Sequence, residues 1–267
     1  CSSDLGVVDG RSDLLTGLNS PFGIAWADDT LYVAATDAIL AYPYRLGEAR
    51  ITAAPRVLAK LPAGEINHHW TKSLLASRDG TRLYVGVGSN SNVGENGMAE
   101  EEGRAAIWQL DPDSGQKSLY AGGLRNPNGM AWMAGPAGGP PVLWTVANER
   151  DELGSDLVPD YLTSVREGAF YGWPYAYIGP NEEPRHKGVK PDMVAKSVEP
   201  DMILAPHVAV MDFTFYNGGQ FPAKYKNGAF LAYRGSSGKQ KRVGYAVMFV
   251  PFKGGKPAGQ PEPFVTG

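Results

Sequence analysis

The amino-acid sequence predicts an all-β fold, a β-propeller of four-stranded antiparallel blades around a central axis. Three observations support this prediction: a composition rich in turn residues, a segment that occurs twice, and hairpin patterns along the chain. The chain of 267 residues contains 34 glycines and 21 prolines, and 10% of its residues are aromatic. Because glycine and proline form turns, apolar runs that they interrupt this often are typical of many short strands.

A segment near the start of the chain occurs a second time. Residues 17–26 read GLNSPFGIAW, and residues 123–132 read GLRNPNGMAW. In each copy a Gly-Leu turn leads through proline and glycine into a short apolar strand. The spacing between the copies fits two blades of about 50 residues each.

Hairpin patterns supply the other strands. Asp28-Asp29 and Asp79-Gly80 are turn residues, and a run rich in β-branched and aromatic side chains follows each of them. Strands of the first two blades are predicted at 31–35, 38–42, 57–59, 83–87, 106–110 and 118–120. Strands of two further blades are predicted at 142–146, 161–165, 211–215, 230–233, 245–249 and 263–265. About four to five blades are therefore recognisable, with Leu14-Leu15 as a candidate outer strand of the fifth.

These strands predict a single propeller domain over residues 14–267, preceded by an N-terminal tether at 1–13. Residues 179–206 are rich in proline, glutamate and lysine and show little strand pattern. A connection of this length is typical of a functional lid or a mobile loop. The polar run around Asn90 and Asn92 predicts a second flexible rim or lid.

Charge and cysteine content narrow the class of protein. The formal net charge is −3 and no broad basic surface is indicated, so no nucleic-acid partner is expected. No apolar run reaches the roughly 20 residues that span a bilayer. The one cysteine, Cys1, resembles the lipid-acceptor cysteine of a bacterial lipoprotein; the alternative is a chain boundary that happens to fall there. The lipoprotein interpretation predicts a periplasmic or cell-surface protein with a lipid anchor.

Loops that lead into the innermost strands of a propeller open at one end of the central channel, where ligands bind. Six candidate residues fall in such loops: His69, Arg125, Asn126, Asp151, Trp173 and His207. Imidazole has its ordinary pKa near neutrality, so His69 is the candidate general base, and a hydrogen-bonded turn histidine is the alternative. Its neighbour His68 is expected to point the opposite way, so that one ring faces the channel and the other packs.

Three further features have both a chemical and a structural interpretation. The guanidinium of Arg125 could stabilise a developing oxyanion. The fold does not require an arginine at this position, since the first repeat copy has Asn19 there. The alternative is that Arg125 forms an ordinary ion pair. The run 149–152 offers oxygen ligands that suit calcium, or it is simply solvated. Trp173 either stacks on a flat cofactor or packs in a buried turn with its N–H bonded.

Patterns of other enzyme classes are missing from the sequence. No glycine-rich phosphate loop stands between a strand and a helix, which disfavours a nicotinamide nucleotide. No Gly-x-Ser-x-Gly elbow of an α/β-hydrolase occurs. A calcium-dependent lactonase would need several carboxylates converging on the axis, and the predicted strand starts do not show them.

Several segments, in order, resemble the soluble glucose/sorbosone dehydrogenase family, and sorbosone dehydrogenase-like members most. The matching segments are His68–Leu74, Gly123–Gly129, Asn148–Glu152, Tyr171–Pro174 and Arg234–Ser236. The resemblance implies a six-bladed propeller that oxidises a sugar or an aldehyde with pyrroloquinoline quinone and calcium.

The resemblance also implies roles for individual residues. His69 matches the base that takes the hydroxyl proton while hydride passes to the quinone, and Arg125 matches the arginine at the quinone carbonyl. The cofactor site is implied to contain Asn126, Trp173, His207 and Arg234. Backbone carbonyls of Arg150, Asp151 and Glu152 are implied to bind the calcium ion, which also bridges to the cofactor.

The chain departs from the family pattern in two ways. It stops after residues 264–267, where another blade is expected to begin, and residues 234–237 read RGSS where related chains read HGSWNR. The sequence therefore predicts a quinone-dependent dehydrogenase with an unidentified electron acceptor. The alternative is a non-catalytic or vestigial propeller that binds a glycan or a protein. Unpaired sheet edges in an incomplete ring also predict self-association or a partner chain.

Overall fold

In the described residues, four antiparallel sheets of four strands each form the blades and two short hairpins lie outside them, which confirms the predicted β-propeller of four-stranded blades. The computed structural model describes residues 10–135, 138–236 and 239–267. Most of the predicted tether, including Cys1, lies outside these residues, so the tether and the lipid anchor stay predictions. Within the described ranges, no helix is long and apolar enough to cross a membrane.

Each blade is an antiparallel meander whose first strand is innermost. Blade 1 consists of β1 (Gly23–Ala27), β2 (Thr30–Ala34), β3 (Ala38–Pro43) and β4 (Arg56–Lys60). Blade 2 consists of β5 (Lys72–Ala76), β6 (Leu83–Val87), β7 (Ala106–Leu110) and β8 (Lys117–Gly122). A short 3₁₀ helix, Met98–Glu101, lies between β6 and β7. The strands predicted for these blades are confirmed.

Blade 3 contains a long insertion between its third and fourth strands. It consists of β9 (Asn126–Met133), β10 (Val142–Asn148), β11 (Pro159–Ser164) and β14 (Met202–Pro206). The insertion contains the hairpin of β12 (Ala176–Tyr177) and β13 (Asn181–Glu182), a 3₁₀ turn at Pro184–His186, and helix α1 (Pro191–Lys196).

Blade 4 completes the described array. It consists of β15 (Val210–Phe215), β16 (Ala229–Tyr233), β17 (Ala246–Val250) and β20 (Glu262–Thr266). The small hairpin of β18 (Phe252–Lys253) and β19 (Lys256–Pro257) joins β17 to β20, and a 3₁₀ turn at Ala223–Tyr225 precedes β16.

The structure differs from the sequence prediction at two connections. Residues 179–206 contain more regular structure than their sequence pattern indicated, since they include part of the small hairpin, helix α1 and the outer strand β14. In β14, Met202 and Leu204 are buried and Ile203 is exposed, which is the alternation of a half-buried strand. Leu14 and Leu15 form no strand; they pack against Leu31 and its neighbours in blade 1.

Apolar side chains between successive blades form the core. The cluster between blades 1 and 2 contains Ile39 and Val85. The cluster between blades 2 and 3 contains Ile107 and Tyr161, and the one between blades 3 and 4 contains Val146 and Leu231. The innermost strands pack in the same sequence, β1 beside β5, β5 beside β9 and β9 beside β15. This arrangement brings the loops before the innermost strands together near the axis.

This close packing explains why both copies of the repeated segment contain a glycine. Gly23 and Gly129 occupy equivalent positions in the two copies. A Cβ atom on Gly23 would lie 2.5 Å from the backbone nitrogen of Leu74, and one on Gly129 would lie 2.7 Å from the Cα of Asp212. Each glycine therefore lets an innermost strand approach the next blade more closely than any side chain allows.

A Gly129→Ala variant is expected to lose about 2–3 kcal/mol of unfolding free energy, because the added methyl group overpacks a backbone contact. Urea denaturation measures the loss. Gly219→Ala is the control, since no atom lies within 4 Å of a Cβ at Gly219. If both variants unfold at the wild-type urea concentration, the close approach between blades 3 and 4 is not required for stability.

Candidate functional site

A cleft of about 430 Å³ opens where the loops of the four blades converge. Its volume lies within the usual range for small-molecule sites. Among the lining residues are Phe22 from blade 1, His68–Thr71 from blade 2, Arg125 and Asn126 from blade 3, and Arg234 from blade 4. The structure thus brings His69 and Arg125 together in one cavity, as predicted from the positions of their loops.

Hydrogen bonding fixes the tautomer of His69. Its Nδ1 lies 2.9 Å from the carbonyl oxygen of Ser89, which can only accept, so Nδ1 carries the proton and donates it. The hydroxyl of Ser89, 3.1 Å from Nδ1, itself donates to the carbonyl of Ser91 at 2.6 Å. In the neutral ring the lone pair is therefore on Nε2. A half-buried imidazole held in this way is a base with a fixed direction.

Electrostatics keep this base unprotonated. Burial, followed by the positive charge of Arg125, lowers the pKa of His69 well below its usual value. The adjacent His68 also has a lowered pKa, mainly through burial. Both imidazoles are consequently neutral at pH 7.

The prediction that His68 and His69 point in opposite directions was wrong. The chain bends at both residues instead of running as a strand, and the two rings meet edge to face with centroids 4.4 Å apart. Both line the cleft. The bend therefore gives the site two imidazoles rather than one.

Arg125 is held rigidly in the cleft wall. Its side chain is almost fully buried, and it donates from Nε to the carbonyl of Asn92 at 3.0 Å and from Nη1 to the carbonyl of Glu149 at 2.8 Å. Nη2 donates to Oδ1 of Asn92 at 3.0 Å and lies 3.8 Å from a carboxylate oxygen of Asp151. Burial lowers the pKa of Arg125 from its ordinary value, although the nearby carboxylates oppose the shift. The result is a fixed positive charge at the edge of the cavity.

Asn92 supports the site, although its sequence pattern did not indicate this role. Besides holding Arg125, its side chain accepts from the N–H of Asp151 at 2.8 Å and donates to the carbonyl of Asp151 at 3.1 Å. The predicted flexible rim around Asn90 and Asn92 was therefore wrong, since both residues are buried. The sequence of a polar loop does not show whether its side chains are buried and hydrogen-bonded or exposed to solvent.

His207 and Asp151 form a pair across the cleft. Nδ1 of His207 lies 3.0 Å from a carboxylate oxygen of Asp151, and Nε2 lies 3.1 Å from the carbonyls of Gly154 and Leu157. All these partners accept, so this geometry requires a proton on both ring nitrogens, or one on Asp151. His207 and Asp151 thereby hold each other in place in the cleft wall.

The cleft contains Asn126 and Arg234 but not Trp173. Asn126 lines the cavity, and its buried Oδ1 has no partner among the described residues. The exposed Arg234 side chain also faces the cavity. The prediction that Trp173 contacts a cofactor was wrong: the indole is buried behind the wall and donates to the carbonyl of Asn92 at 2.9 Å. The buried-turn alternative describes it.

The predicted calcium residues do not come together through their side chains. Asp151 lines the cleft, whereas Arg150 is buried with Nη1 3.6 Å from Glu183, and Glu152 pairs with Arg185 at 3.0 Å on the surface. In the described part of the chain, no cluster of three or more His, Cys, Asp or Glu side chains could hold a metal. The side chains of the 150–152 stretch do not fit a calcium ion.

Two carboxyl groups on the cleft wall were not foreseen as a pair. Glu149 and Asp160 are both buried and line the cavity. Burial raises the pKa of Glu149 to about 8 and that of Asp160 to about 6. Glu149 is thus mainly protonated at neutral pH, which limits the negative charge of the cavity.

A buried lysine supports the loop that carries His69. Lys72 is completely buried, and its Nζ donates to the carbonyl of Trp70 at 3.0 Å and to that of His69 at 3.4 Å. Burial lowers the pKa of Lys72 to about 8. A lysine within an apolar strand pattern is the sequence signal that indicates such a buried support.

Replacing Lys72 with methionine is expected to change how stability depends on pH. Between about pH 8 and 10.5 the unfolded wild-type chain binds more protons at this position than the folded chain, so this residue makes stability rise with pH. K72M lacks that contribution. Urea denaturation at pH 8, 9 and 10 should therefore show wild type gaining about 1–3 kcal/mol relative to K72M. A constant difference across this range would contradict the lowered pKa.

Comparisons with known proteins agree with this architecture. The PQQ domain of pyranose dehydrogenase from Coprinopsis cinerea, in its holo form, matches 99% of this chain and 73% of its own, with a TM-score of 0.79 and 20% identity. A calcium structure of Trichoderma reesei Carbohydrate-Active Enzymes Family AA12 matches 99% of this chain and 76% of its own, with a TM-score of 0.80 and 20% identity. These likenesses define the fold as the propeller of quinone-type sugar dehydrogenase domains and confirm the resemblance at that level. The sorbosone-like detail stays a prediction.

A comparison of the sequence with models of protein families shows the family of the chain. A family model described as TrAA12-like matches residues 6–177 and 183–265. The chain belongs to the TrAA12-like family. A curated, uncharacterized protein of Borreliella burgdorferi strain B31 is 26% identical over 242 residues, which cover 86% of this chain. The chain spans 61% of the length of that relative.

Proposed function

We propose that the chain is a dehydrogenase that oxidises a sugar or an aldehyde and passes hydride to pyrroloquinoline quinone. One observation carries the proposal: the lone pair on Nε2 of His69 and the guanidinium of Arg125 belong to residues that line the same cleft. A hydroxyl oxidation needs a base for the proton and positive charge where negative charge develops. The fold supports the proposal, since the pyranose dehydrogenase domain that it matches is a PQQ domain.

The residues present in the cleft fit a flat quinone that carries carboxylates. Arg125 and Arg234 contribute guanidinium groups, and Asn126 offers a buried amide whose oxygen is without a partner among the described residues. Guanidinium suits carboxylates because its N–H groups match them two at a time. A bound quinone would supply the hydride acceptor, taking two electrons with the hydrogen of the substrate carbon.

The side chains of the cleft divide the remaining tasks. Nε2 of His69 accepts the hydroxyl proton of the substrate, and its bond to Ser89 keeps the ring in position while it becomes charged. Arg125 keeps positive charge in the wall because Asn92 and Glu149 hold three of its N–H groups. The hydrogen bond between Asp151 and His207 holds both side chains in the cleft wall.

In this proposal, only main-chain carbonyl oxygens would bind a calcium ion. The carbonyls of Glu149 and Asp151 already accept hydrogen bonds from Arg125 and Asn92. Because the side chains of residues 150 and 152 point elsewhere, no step of the proposed chemistry depends on the ion. The electron acceptor, the lipid anchor and the periplasmic or cell-surface location stay predictions.

The test is reduction of a redox dye by purified protein supplied with quinone, with and without calcium, and a panel of aldoses and aldehydes. Turnover that requires the quinone is expected. If the protein shows no turnover and binds no quinone at micromolar concentration, the proposal is overturned. The non-catalytic propeller would then be the function that remains. Size measurement in the same samples tests the predicted self-association.

A further inference from the structure

One short loop contacts both candidate catalytic side chains. The loop of residues 89–92 follows β6, and the carbonyl of Ser89 accepts from Nδ1 of His69 at 2.9 Å. The backbone N–H of Ser89 donates to the carbonyl of Arg125 at 2.7 Å. Asn92 accepts from the guanidinium through its carbonyl and its side-chain oxygen, each at 3.0 Å. A shift of this loop would therefore move the base and the positive charge together.

A buried carboxylate holds this loop from behind. Glu101 is the last residue of the 3₁₀ helix between β6 and β7, and its exposed fraction is 6%. Its Oε2 accepts from the backbone N–H of Asn90 at 2.7 Å, and its Oε1 accepts from the hydroxyl of Ser91. Hydrogen bonds to an ionised acceptor are stronger than those between neutral groups. Both carboxylate oxygens thus fix the two residues that lie between the contact points of the loop.

The same segment also supports the chain that leads to His69. Arg104 is buried, and its Nη1 and Nη2 donate to Oδ1 of Asn67 at 3.3 Å. Asn67 lies two residues before His69 in the chain. The backbone N–H of Arg104 donates to the carbonyl of Glu101 at 3.0 Å. One turn therefore supports His69 both through its hydrogen-bond partner and through the preceding backbone.

We propose that Glu101 is a positioning residue, whose carboxylate fixes the 89–92 loop so that Nδ1 of His69 keeps its proton and Arg125 stays beside the base. The effect on His69 stands on the hydrogen bonds alone, whereas the effect on turnover rests on the proposed function. Catalytic groups must be placed within a fraction of an ångström, and an error of about 1 Å can cost about 10²-fold in rate. Glu101 is not among the described residues that line the cleft, so it acts through the loop and not on a ligand.

The tautomer of His69 reports whether the loop is in place. Without the carboxylate of Glu101, the N–H of Asn90 and the hydroxyl of Ser91 lose their acceptor, and the loop is free to take other conformations. The carbonyl of Ser89 then no longer selects the proton on Nδ1. An imidazole in water prefers its proton on Nε2, so His69 would lose the lone pair that faces away from the loop.

Two substitutions of Glu101 separate the reach of its side chain from its charge. Glu101→Asp keeps the negative charge but is one methylene too short to reach both partners. Glu101→Gln loses the charge but keeps an oxygen for the N–H of Asn90, and its amide can donate to the hydroxyl oxygen of Ser91. Glu102→Asp is the matched control, because Glu102 is the adjacent residue and its side chain is exposed.

The first experiment needs neither cofactor nor turnover. NMR of cofactor-free protein labelled with ¹⁵N-histidine reads the tautomer of His69, whose signal is assigned from its loss in His69→Gln. Wild type, Glu102→Asp and Glu101→Gln should show the proton on Nδ1, and Glu101→Asp should show a mixture in which Nε2 carries it. A wild-type signal in Glu101→Asp, or an equal change in Glu101→Gln, would overturn the proposal. Circular dichroism checks each fold, and an aspartate variant that does not fold would show a purely structural role and overturn it as well.

The second experiment measures turnover in the quinone-loaded protein. Glu101→Asp should lower kcat for the sugar about 10²-fold with little change in KM, because the base is displaced while the cleft lining is kept. Glu101→Gln and Glu102→Asp should stay near wild type. A changed tautomer with the wild-type kcat would overturn the positioning role. Absence of turnover in every protein, wild type included, would contradict the proposed function and leave the tautomer result to decide the role of Glu101.

Discussion

A His69→Gln variant is expected to lose about 10²–10⁴-fold in kcat with its fold intact, because general-base catalysis contributes that much. Glutamine can keep a donor toward the carbonyl of Ser89, which Nδ1 of the imidazole contacts at 2.9 Å. It cannot accept a proton at neutral pH. Stopped-flow reduction of the quinone by the sugar measures the hydride step, and circular dichroism checks the fold.

The pH profile of the wild type adds a second readout. Since burial and Arg125 lower the pKa of His69 well below its usual value, the base stays unprotonated as the pH falls through 6.5. The acid limb of kcat/KM should therefore lie well below pH 6.5 and be absent from the residual activity of His69→Gln. If His69→Gln retains the wild-type rate, the base is another group.

An Arg125→Met variant is expected to lose both stability and quinone binding. Removal of the guanidinium leaves the carbonyls of Asn92 and Glu149 and the side-chain oxygen of Asn92 each short of one donor. The carbonyl of Asn92 keeps the indole N–H of Trp173, and its side-chain oxygen keeps the N–H of Asp151. The carbonyl of Glu149 therefore loses most, and the substitution should cost about 1–3 kcal/mol. Urea denaturation measures the stability, and calorimetry with the quinone measures binding.

Arg125→Lys separates the two effects. Lysine restores the positive charge, but its single ammonium group cannot donate to all three acceptors that the planar guanidinium contacts. It should therefore recover part of the quinone affinity and little of the stability. A methionine variant as stable as wild type would show that the hydrogen bonds of Arg125 are not needed for the fold.

The strands of the propeller could be predicted because their signals are local. Turn residues such as Asp79-Gly80 and alternating apolar runs mark each hairpin, and the repeated glycine marks the close packing of innermost strands. Strand β14 was missed because Met202 and Leu204 follow a long polar insertion, where only two inward side chains carry the pattern.

The candidate site was predicted only in part. Topology alone placed His69, Arg125, Asn126, Asp151 and His207 near one end of the channel, and the structure has all of them in the cleft. The direction of a side chain is not local information, so Trp173 was misplaced. The binding of calcium by the main-chain carbonyls of Arg150, Asp151 and Glu152 stays a prediction. The supports Asn92 and Lys72 depend on contacts between distant segments, which no spacing in the sequence reveals.

A crystal structure of the protein with saturating pyrroloquinoline quinone is the most direct test of the central proposal. The quinone should occupy the cleft of about 430 Å³ with its carbonyl edge between Nε2 of His69 and the guanidinium of Arg125, and with a carboxylate near Arg234. An empty cleft at saturating quinone, or a quinone bound away from both side chains, would contradict the assignment of this cavity as a redox site.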